Sequence, residues 1–407
     1  MEPEAARLRR TDIGIIRGVR GKLQIISLRA LPEKRNLAHL LLKHLTGAFA
    51  LQDLAHTQDE DDGWVVSRPE DESMDAALLE GLAPQFEGWT DANVHAALIV
   101  RRGKLVYEHY FTGEDKAWAT PLGRVSYHSR LRHDLRSITK SITSLLFGVA
   151  VDRGWIKDID EPVFSFFPEH ANLRTPEKNR ISLRHLLTMS AGLAWNEYLP
   201  YSDPANSERR MIDAPDRCRY VLEQPIARPA GLVYAYNGGL TALLATILQK
   251  TSGRSVDALA AEMLFDPLGI RDVEWVRYAD GTPNAVSGLR MRPRDLAKIG
   301  QAVLARGTWN GKRIVSEAWL DESTSPHVNG EGLFFYGFQW WLGRSLVRRR
   351  EIRWVSGVGY GGQRLFIVPD LDLVVVVMAG LYDNPVLQSV PGEVILRRYA
   401  LSAALAA

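Results

Sequence analysis

The chain has 407 residues, 46% hydrophobic and 24% charged, with a formal net charge of +2 and a single cysteine, Cys218. That length calls for one large domain with an insertion, or two intimate subdomains. The near-neutral charge gives no reason to expect nucleic acid as a partner, and one cysteine excludes both an intrachain disulfide framework and a multi-cysteine metal site.

From the N-terminus, residues 1–62 differ from the rest. Lys and Arg outnumber acids over 1–36, and "QDEDDG" then reverses the sign. This reads as a basic extension followed by an acidic linker, with contact to an anionic membrane surface as the alternative use of the basic arm. "LAHLLLKHLTGAFA" ends in Ala48-Phe49-Ala50, faintly like a signal cleavage site, but His39, Lys43 and His44 interrupt its apolar run. An uncleaved extension on a cytoplasmic protein is favoured; a mis-assigned start upstream of a real export signal is the alternative. No apolar run reaches the ~18 residues of a membrane span.

Residues 63–407 read as the folded domain. "HAALIVRRGKLVYEHYF" predicts two strands around a glycine turn. In "LRSITKSITSLLFGVAVDRG" the residues Ile138, Ile142, Leu145, Leu146 and Val149 recur at helical spacing, and "DRG" closes the helix. A mostly helical stretch follows over roughly 155–300, including "ISLRHLLTMSAGL" and "RPRDLAKIGQAVLARG". Cys218, in "DAPDRCRYVLEQ", belongs to a charged helical segment and is not read as a nucleophile. "YGFQWWLG" offers Trp340 and Trp341 either as walls of an acyl pocket or as core aromatics, and Arg348 to Arg350 suit a solvated hairpin turn. The end returns to strands in "RWVSGVG", "GQRLFIVPD" and "LDLVVVVMAG", with "PDLD" as a reverse turn and a final helical stretch. Strands at both ends around a helical insertion predict an α+β fold, with one antiparallel sheet built from the two termini and a site in the cleft beside the insertion.

The chemistry centres on Ser137 and Lys140. A serine hydroxyl needs a base to act as a nucleophile near neutral pH. Residues three apart on a helix share a face, so a helix starting at Ser137 sets Lys140 beside its hydroxyl. A desolvated lysine has a lowered pKa and can take the proton. Alone, S-x-x-K is weak; its company adds the weight. "PAGLVYAYNGGLTALLATILQKTSG" sets Tyr236 before Asn237, Gly238 and Gly239, and "WVSGVGYGGQRLFIVPDLDLVVVV" supplies a glycine-rich strand near the C-terminus.

That ordered set, with its framing segments over roughly residues 63–385, resembles the serine β-lactamase and penicillin-binding-protein superfamily. Within it, the class C-like branch is nearest, with its family VIII esterases, D-aminopeptidases and 6-aminohexanoate-dimer hydrolases. The resemblance implies a β-lactamase/transpeptidase-like fold, an acyl-enzyme on Ser137, Lys140 as base and Tyr236 in the proton transfers. It also implies an oxyanion hole from the backbone N–H groups of Ser137 and Tyr360, just after Gly359. Neither a metal nor an organic cofactor is implied, and the expected partner is a small ester or amide.

Two departures bear on substrate. The second motif is usually Tyr-x-Asn; here Gly238 stands where that asparagine would lie, with Asn237 one residue off and Tyr234 as a competing tyrosine. The third motif is usually Lys or His, any residue, then Gly; here it reads Gly357-Val358-Gly359, without the cationic or imidazole side chain. That absence argues for esters and amides over β-lactams; a β-lactamase, a cell-wall peptidase and a non-catalytic binding protein on the same fold are the rivals. "GVGYGG" matches a dinucleotide fingerprint, but the β-like run "RLFIV" follows it where a helix is required. His133-Asp134 stands too close to Ser137 in sequence to form a triad with it, and Asp134 reads as a turn or N-cap residue.

Overall fold

The computed structural model describes the strands Ile13–Arg17 (β1) and Leu23–Ser27 (β2), residues 62–118 and residues 120–406. β1 and β2 pair antiparallel, a hairpin that the sequence reading did not expect in the N-terminal extension. The acidic linker and the stretch ending in Ala48-Phe49-Ala50 lie outside the described residues. Glu60–Ala407 forms one compact unit. No helix among the described residues is long and apolar enough to cross a membrane.

The predicted hairpin is Val94–Arg101 (β3) and Lys104–Tyr110 (β4), joined by Arg102 and Gly103, both at positive φ as a tight antiparallel turn requires. Thr112–Ala117 (β5) and Thr120–Ser126 (β6) pair as a separate hairpin. His133–Asp134 (β7), Val273–Trp275 (β8) and Leu289–Met291 (β9) form a small sheet in the order β7-β9-β8. The late strands are Val328–Asn329 (β10), Phe335–Tyr336 (β11), Trp341–Val347 (β12), Arg350–Gly359 (β13), Gln363–Val368 (β14) and Leu373–Ala379 (β15). They join the first hairpin in one antiparallel sheet of eight strands, ordered β10-β11-β12-β13-β14-β15-β3-β4. Chain end meets chain start at β15–β3, as the sequence predicts.

Both faces of this sheet are covered, which explains the unbroken run "LVVVV": alternate residues point to opposite sides, and each side has its own core. Val374, Val376 and Met378 share a core with Ala96, Leu98 and Val100 and with the helices Ile138–Asp152 (α1) and Gly238–Ser252 (α2). Leu373, Val375 and Val377 join Ala97, Ile99 and the C-terminal helical residues Leu396 and Tyr399. The helix Pro293–Leu304 (α3), assigned by sequence to the tail of the insertion, lies against the sheet instead. A Cβ at its Gly300 would sit 2.7 Å from Val374 Cγ1, so glycine permits the close approach. Arg348 and Arg349 form the β12–β13 turn, both at positive φ, with Arg350 opening β13.

Candidate active site

Ser137 is the N-cap of α1. Serine at such a position ordinarily spends its hydroxyl on a backbone N–H of the first turn; here it makes no such bond, and its Oγ lies 3.0 Å from Lys140 Nζ. Arg136, immediately before it, holds a positive φ of 50°, a strained conformation for a non-glycine residue at the entry to the site. Its guanidinium sits between the rings of Trp118 and Tyr382, at 4.6 and 4.8 Å from their centroids, and pairs with Asp134.

Lys140 is buried on the inner face of α1. Its Nζ donates to the Val286 carbonyl at 3.2 Å and lies 4.9 Å from the centre of the Tyr236 ring. The carbonyl is held from behind: Asn284 Oδ1 accepts from the N–H groups of Val286 and Ser287, and Thr143 Oγ1 donates to the Ala285 carbonyl at 3.0 Å. Burial pushes the Lys140 ammonium below the ordinary lysine range, opposed by the charges of Glu197 and Glu208. A fold that lowers the proton affinity of a lysine beside an uncapped serine supplies what a general base needs.

Tyr236 stands beside this pair; desolvation first, then the Glu197 carboxylate, hold its phenol well above the usual range against the lowering effect of the Ser137 hydroxyl, so it remains protonated. Tyr234 takes another place, packed against Tyr336 and Trp341, with no hydrogen-bond partner for its hydroxyl among the described residues. Asn237 caps α2, its Oδ1 accepting from Leu240 N at 3.3 Å, so this oxygen serves the helix. Asp134 is no helix cap. It is buried in β7, accepts from Trp118 N at 2.6 Å and pairs with Arg290 at 2.6 Å, because β7–β9 pairing draws it inward beside Arg290.

The glycines of the third motif let β13 approach the segment that carries Ser137. A Cβ at Gly359 would fall 2.3 Å from the Leu135 carbonyl, and one at Gly357 would fall 3.1 Å from Ile138 Cγ2 and 3.4 Å from Ser141 Oγ. Beyond them the chain turns through Gly361 and Gly362, both at positive φ, carrying Tyr360 at the exposed bend. Gln363 clamps that bend: its Nε2 donates to the Ala379 carbonyl at 2.7 Å and the Tyr360 carbonyl at 3.2 Å, and its Oε1 accepts from Ala379 N.

A sequence model of the beta-lactamase family matches residues 86–389. The chain belongs to the beta-lactamase family. Among its relatives, the 6-aminohexanoate-dimer hydrolase of Paenarthrobacter ureafaciens is 27% identical over 331 residues, covering 75% of this chain and 78% of the relative. Esterase EstB of Burkholderia gladioli is 25% identical over 215 residues, covering 48% of this chain and 52% of the esterase. A family VIII carboxylesterase has the same fold, with a TM-score of 0.63 at 16% identity over 84% of this chain and 99% of that one. The octameric penicillin-binding protein homologue of Pyrococcus abyssi also has it, with a TM-score of 0.61 at 21% identity over 82% of this chain and 78% of that one. This beta-lactamase-family chain is a serine hydrolase.

Several neighbours of the Ser137 centre were missed from sequence. Glu197 accepts from Trp195 Nε1 and Gly238 N, both at 2.6 Å, and Glu208 accepts from the Tyr201 hydroxyl. Desolvation and the nearby Glu208 charge push Glu197 up to about 7. Glu197 comes from irregular backbone and Glu208 from the short helix Ser207–Asp213, and no sequence signal ties either to Lys140. Trp340 and Trp341 divide the two roles offered for them: Trp340 is fully buried, whereas Trp341 stacks on Tyr236 with ring centres 6.1 Å apart. Grooves of about 440 Å³, edged by Trp118, Tyr278 and Asn284, and about 660 Å³, edged by Tyr234 and Phe335, are lined by none of Ser137, Lys140 and Tyr236.

Proposed function

We propose that this hydrolase cleaves small neutral esters or amides through an acyl-enzyme on Ser137. The observation that carries the reading is the 3.0 Å approach of a buried Lys140 Nζ, its proton affinity lowered by desolvation, to a serine hydroxyl that makes no capping bond. Lys140 takes the hydroxyl proton as Oγ bonds to the substrate carbonyl carbon. The carbonyl oxygen becomes an oxyanion, met by the N–H groups of Ser137 and Tyr360, and donors of this kind are worth roughly 3–4 kcal/mol in acyl transfer. Collapse expels the alcohol or amine, which takes back a proton through the Tyr236 hydroxyl, and Lys140 restores that proton to Tyr236. Water then attacks the ester on Ser137 by the same path in reverse, releasing the acid and the free serine.

Substrate class rests on Gly357. A charge-assisted hydrogen bond to a substrate carboxylate is worth roughly 1.5–3 kcal/mol, and glycine supplies none. Arg136 is already paired with Asp134 and held between two rings. Neutral esters and amides lose nothing by this. By name the relatives include a 6-aminohexanoate-dimer hydrolase and an esterase, which supports hydrolysis of an acyl bond; the preference for neutral substrates rests on Gly357 alone. p-Nitrophenyl butyrate and nitrocefin, assayed on one preparation, test it: kcat/KM is expected to favour the ester by at least about tenfold. Nitrocefin hydrolysis as fast as the ester's would move the β-lactamase reading ahead.

A further inference from the structure

Behind the lead-in to Ser137, three buried side chains from three separate strands converge: His95 on β3, Asp115 on β5 and His133 on β7. His95 Nδ1 and His133 Nε2 are 2.9 Å apart, and Asp115 Oδ1 lies 3.9 and 3.8 Å from them.

The surrounding hydrogen bonds fix which atoms carry protons. Asn93 Nδ2 donates to the carbonyls of Glu114 and Gly380, at 2.8 and 3.0 Å, which leaves Asn93 Oδ1 as an acceptor facing His95 Nε2 at 3.2 Å. His95 therefore carries its proton on Nε2. His133 Nδ1 lies 3.0 Å from the Asp134 carbonyl, which can only accept, so His133 carries its proton on Nδ1. In the neutral rings, the two nitrogens that face each other at 2.9 Å are both lone pairs. Asp115 Oδ2 accepts from the Tyr127 hydroxyl, while Oδ1 is buried with no hydrogen-bond partner among the described residues. Two glycines make room for the array: a Cβ at Gly113 would fall 2.3 Å from Asn93 Oδ1, and one at Gly380 would fall 2.6 Å from His95 Cε1.

Lone pairs and a carboxylate oxygen aimed at one another repel unless a cation lies among them. A proton shared by the imidazoles would answer the 2.9 Å contact but would leave Asp115 Oδ1 unpartnered. A metal ion answers all three. A triangle with sides of 2.9, 3.8 and 3.9 Å has a circumradius of about 2.1 Å (the product of the sides over four times the area), and zinc binds imidazole nitrogen and carboxylate oxygen at about that length. The outer partners, a carbonyl and a carboxamide taking the second ring N–H of each histidine, are those that metal-bound imidazoles use.

We propose that His95 Nδ1, His133 Nε2 and Asp115 Oδ1 form a binding site for a zinc-like divalent metal ion that ties β3, β5 and β7 together. It is independent of the chemistry assigned to Ser137. The ligands come from three strands, so no spacing in the sequence announces them.

The test uses the full chain, stripped with chelator and titrated with Zn²⁺ against a chromophoric competitor, with Co²⁺ absorption as a second measurement. One equivalent of Zn²⁺ is expected at sub-micromolar affinity, weakened at least tenfold in Asp115→Asn and in His133→Gln. Co²⁺ is expected to give the intense visible bands of a low-coordinate nitrogen–oxygen site. Circular dichroism checks that each variant is folded; if neither is, the Co²⁺ spectrum of the unaltered chain decides. Absence of tight Zn²⁺ binding, equal binding in folded variants, or only the weak bands of six-coordinate Co²⁺ would overturn the proposal and leave a proton shared by the two imidazoles.

Discussion

Two tyrosines two residues apart differ in what they touch, and the difference is testable. Tyr236 lies against Lys140 beside Ser137, whereas Tyr234 packs among Tyr336 and Trp341. Tyr236→Phe is expected to lower kcat on p-nitrophenyl butyrate by at least about 100-fold, the range of a lost proton-transfer partner. Tyr234→Phe should cost less than about threefold; steady-state kinetics on both decides, and reversed effects would reassign the second motif. The acids set the working pH. Negative charge on Glu197 and Glu208 raises the proton affinity of Lys140 against the larger effect of burial. In Glu208→Gln one of those charges is gone, Lys140 loses its proton at lower pH, and the acid limb of the kcat/KM–pH profile should move to lower pH. A limb that stays put or moves to higher pH would show that Lys140 is not the group titrating. Ser137, Lys140 and Tyr236 were legible in the sequence because a helical spacing and a following helix position them. Glu197, Glu208, Val286 and Gln363 were not: Glu197 and Val286 come from loops, Glu208 from a two-turn helix and Gln363 from the first position of β14, and their roles exist only in three dimensions.

At the scale of elements, the candidate site is a meeting of the start of α1 with the C-terminal end of β13, and Gly359 sets how closely they meet. Its absent Cβ would stand 2.3 Å from the Leu135 carbonyl, a backbone atom two residues before Ser137. Gly359→Ala should push that segment away. The expected result is a loss of stability of about 1–3 kcal/mol in urea unfolding and at least about a tenfold loss in kcat/KM. Full activity in the folded variant would mean that the approach of β13 does not position the nucleophile. The sequence marked the hairpin β3–β4, the helix α1 and the strands β13 to β15 through alternation, helical spacing and turn residues. It did not mark β7, β8 or β9, since strands of two or three residues carry no readable period. Those short strands bring Val286 to Lys140 and bury Asp134, so the reading of Asp134 as a cap failed for the same reason.

For the molecule as a whole, one sheet closed by the two chain ends supports a site assembled mostly from what lies between them. The sheet's strands β3, β4 and β13 to β15 were legible through apolar runs and clear turns; β10, β11 and β12 were not read as strands. The attachment of α3 was not legible either, since a helix in sequence next to an insertion carries no mark of which layer it joins; the small residue Gly300 facing Val374 and Leu365 is the feature that commits it to the sheet. The central claim, a covalent acyl-enzyme on one serine, is read most directly by intact mass and peptide mapping after treatment with a fluorophosphonate. A single adduct is expected on the peptide containing Ser137, formed more slowly in Lys140→Ala and absent in folded Ser137→Ala. An adduct on another peptide, or one that persists in Ser137→Ala, would contradict the account.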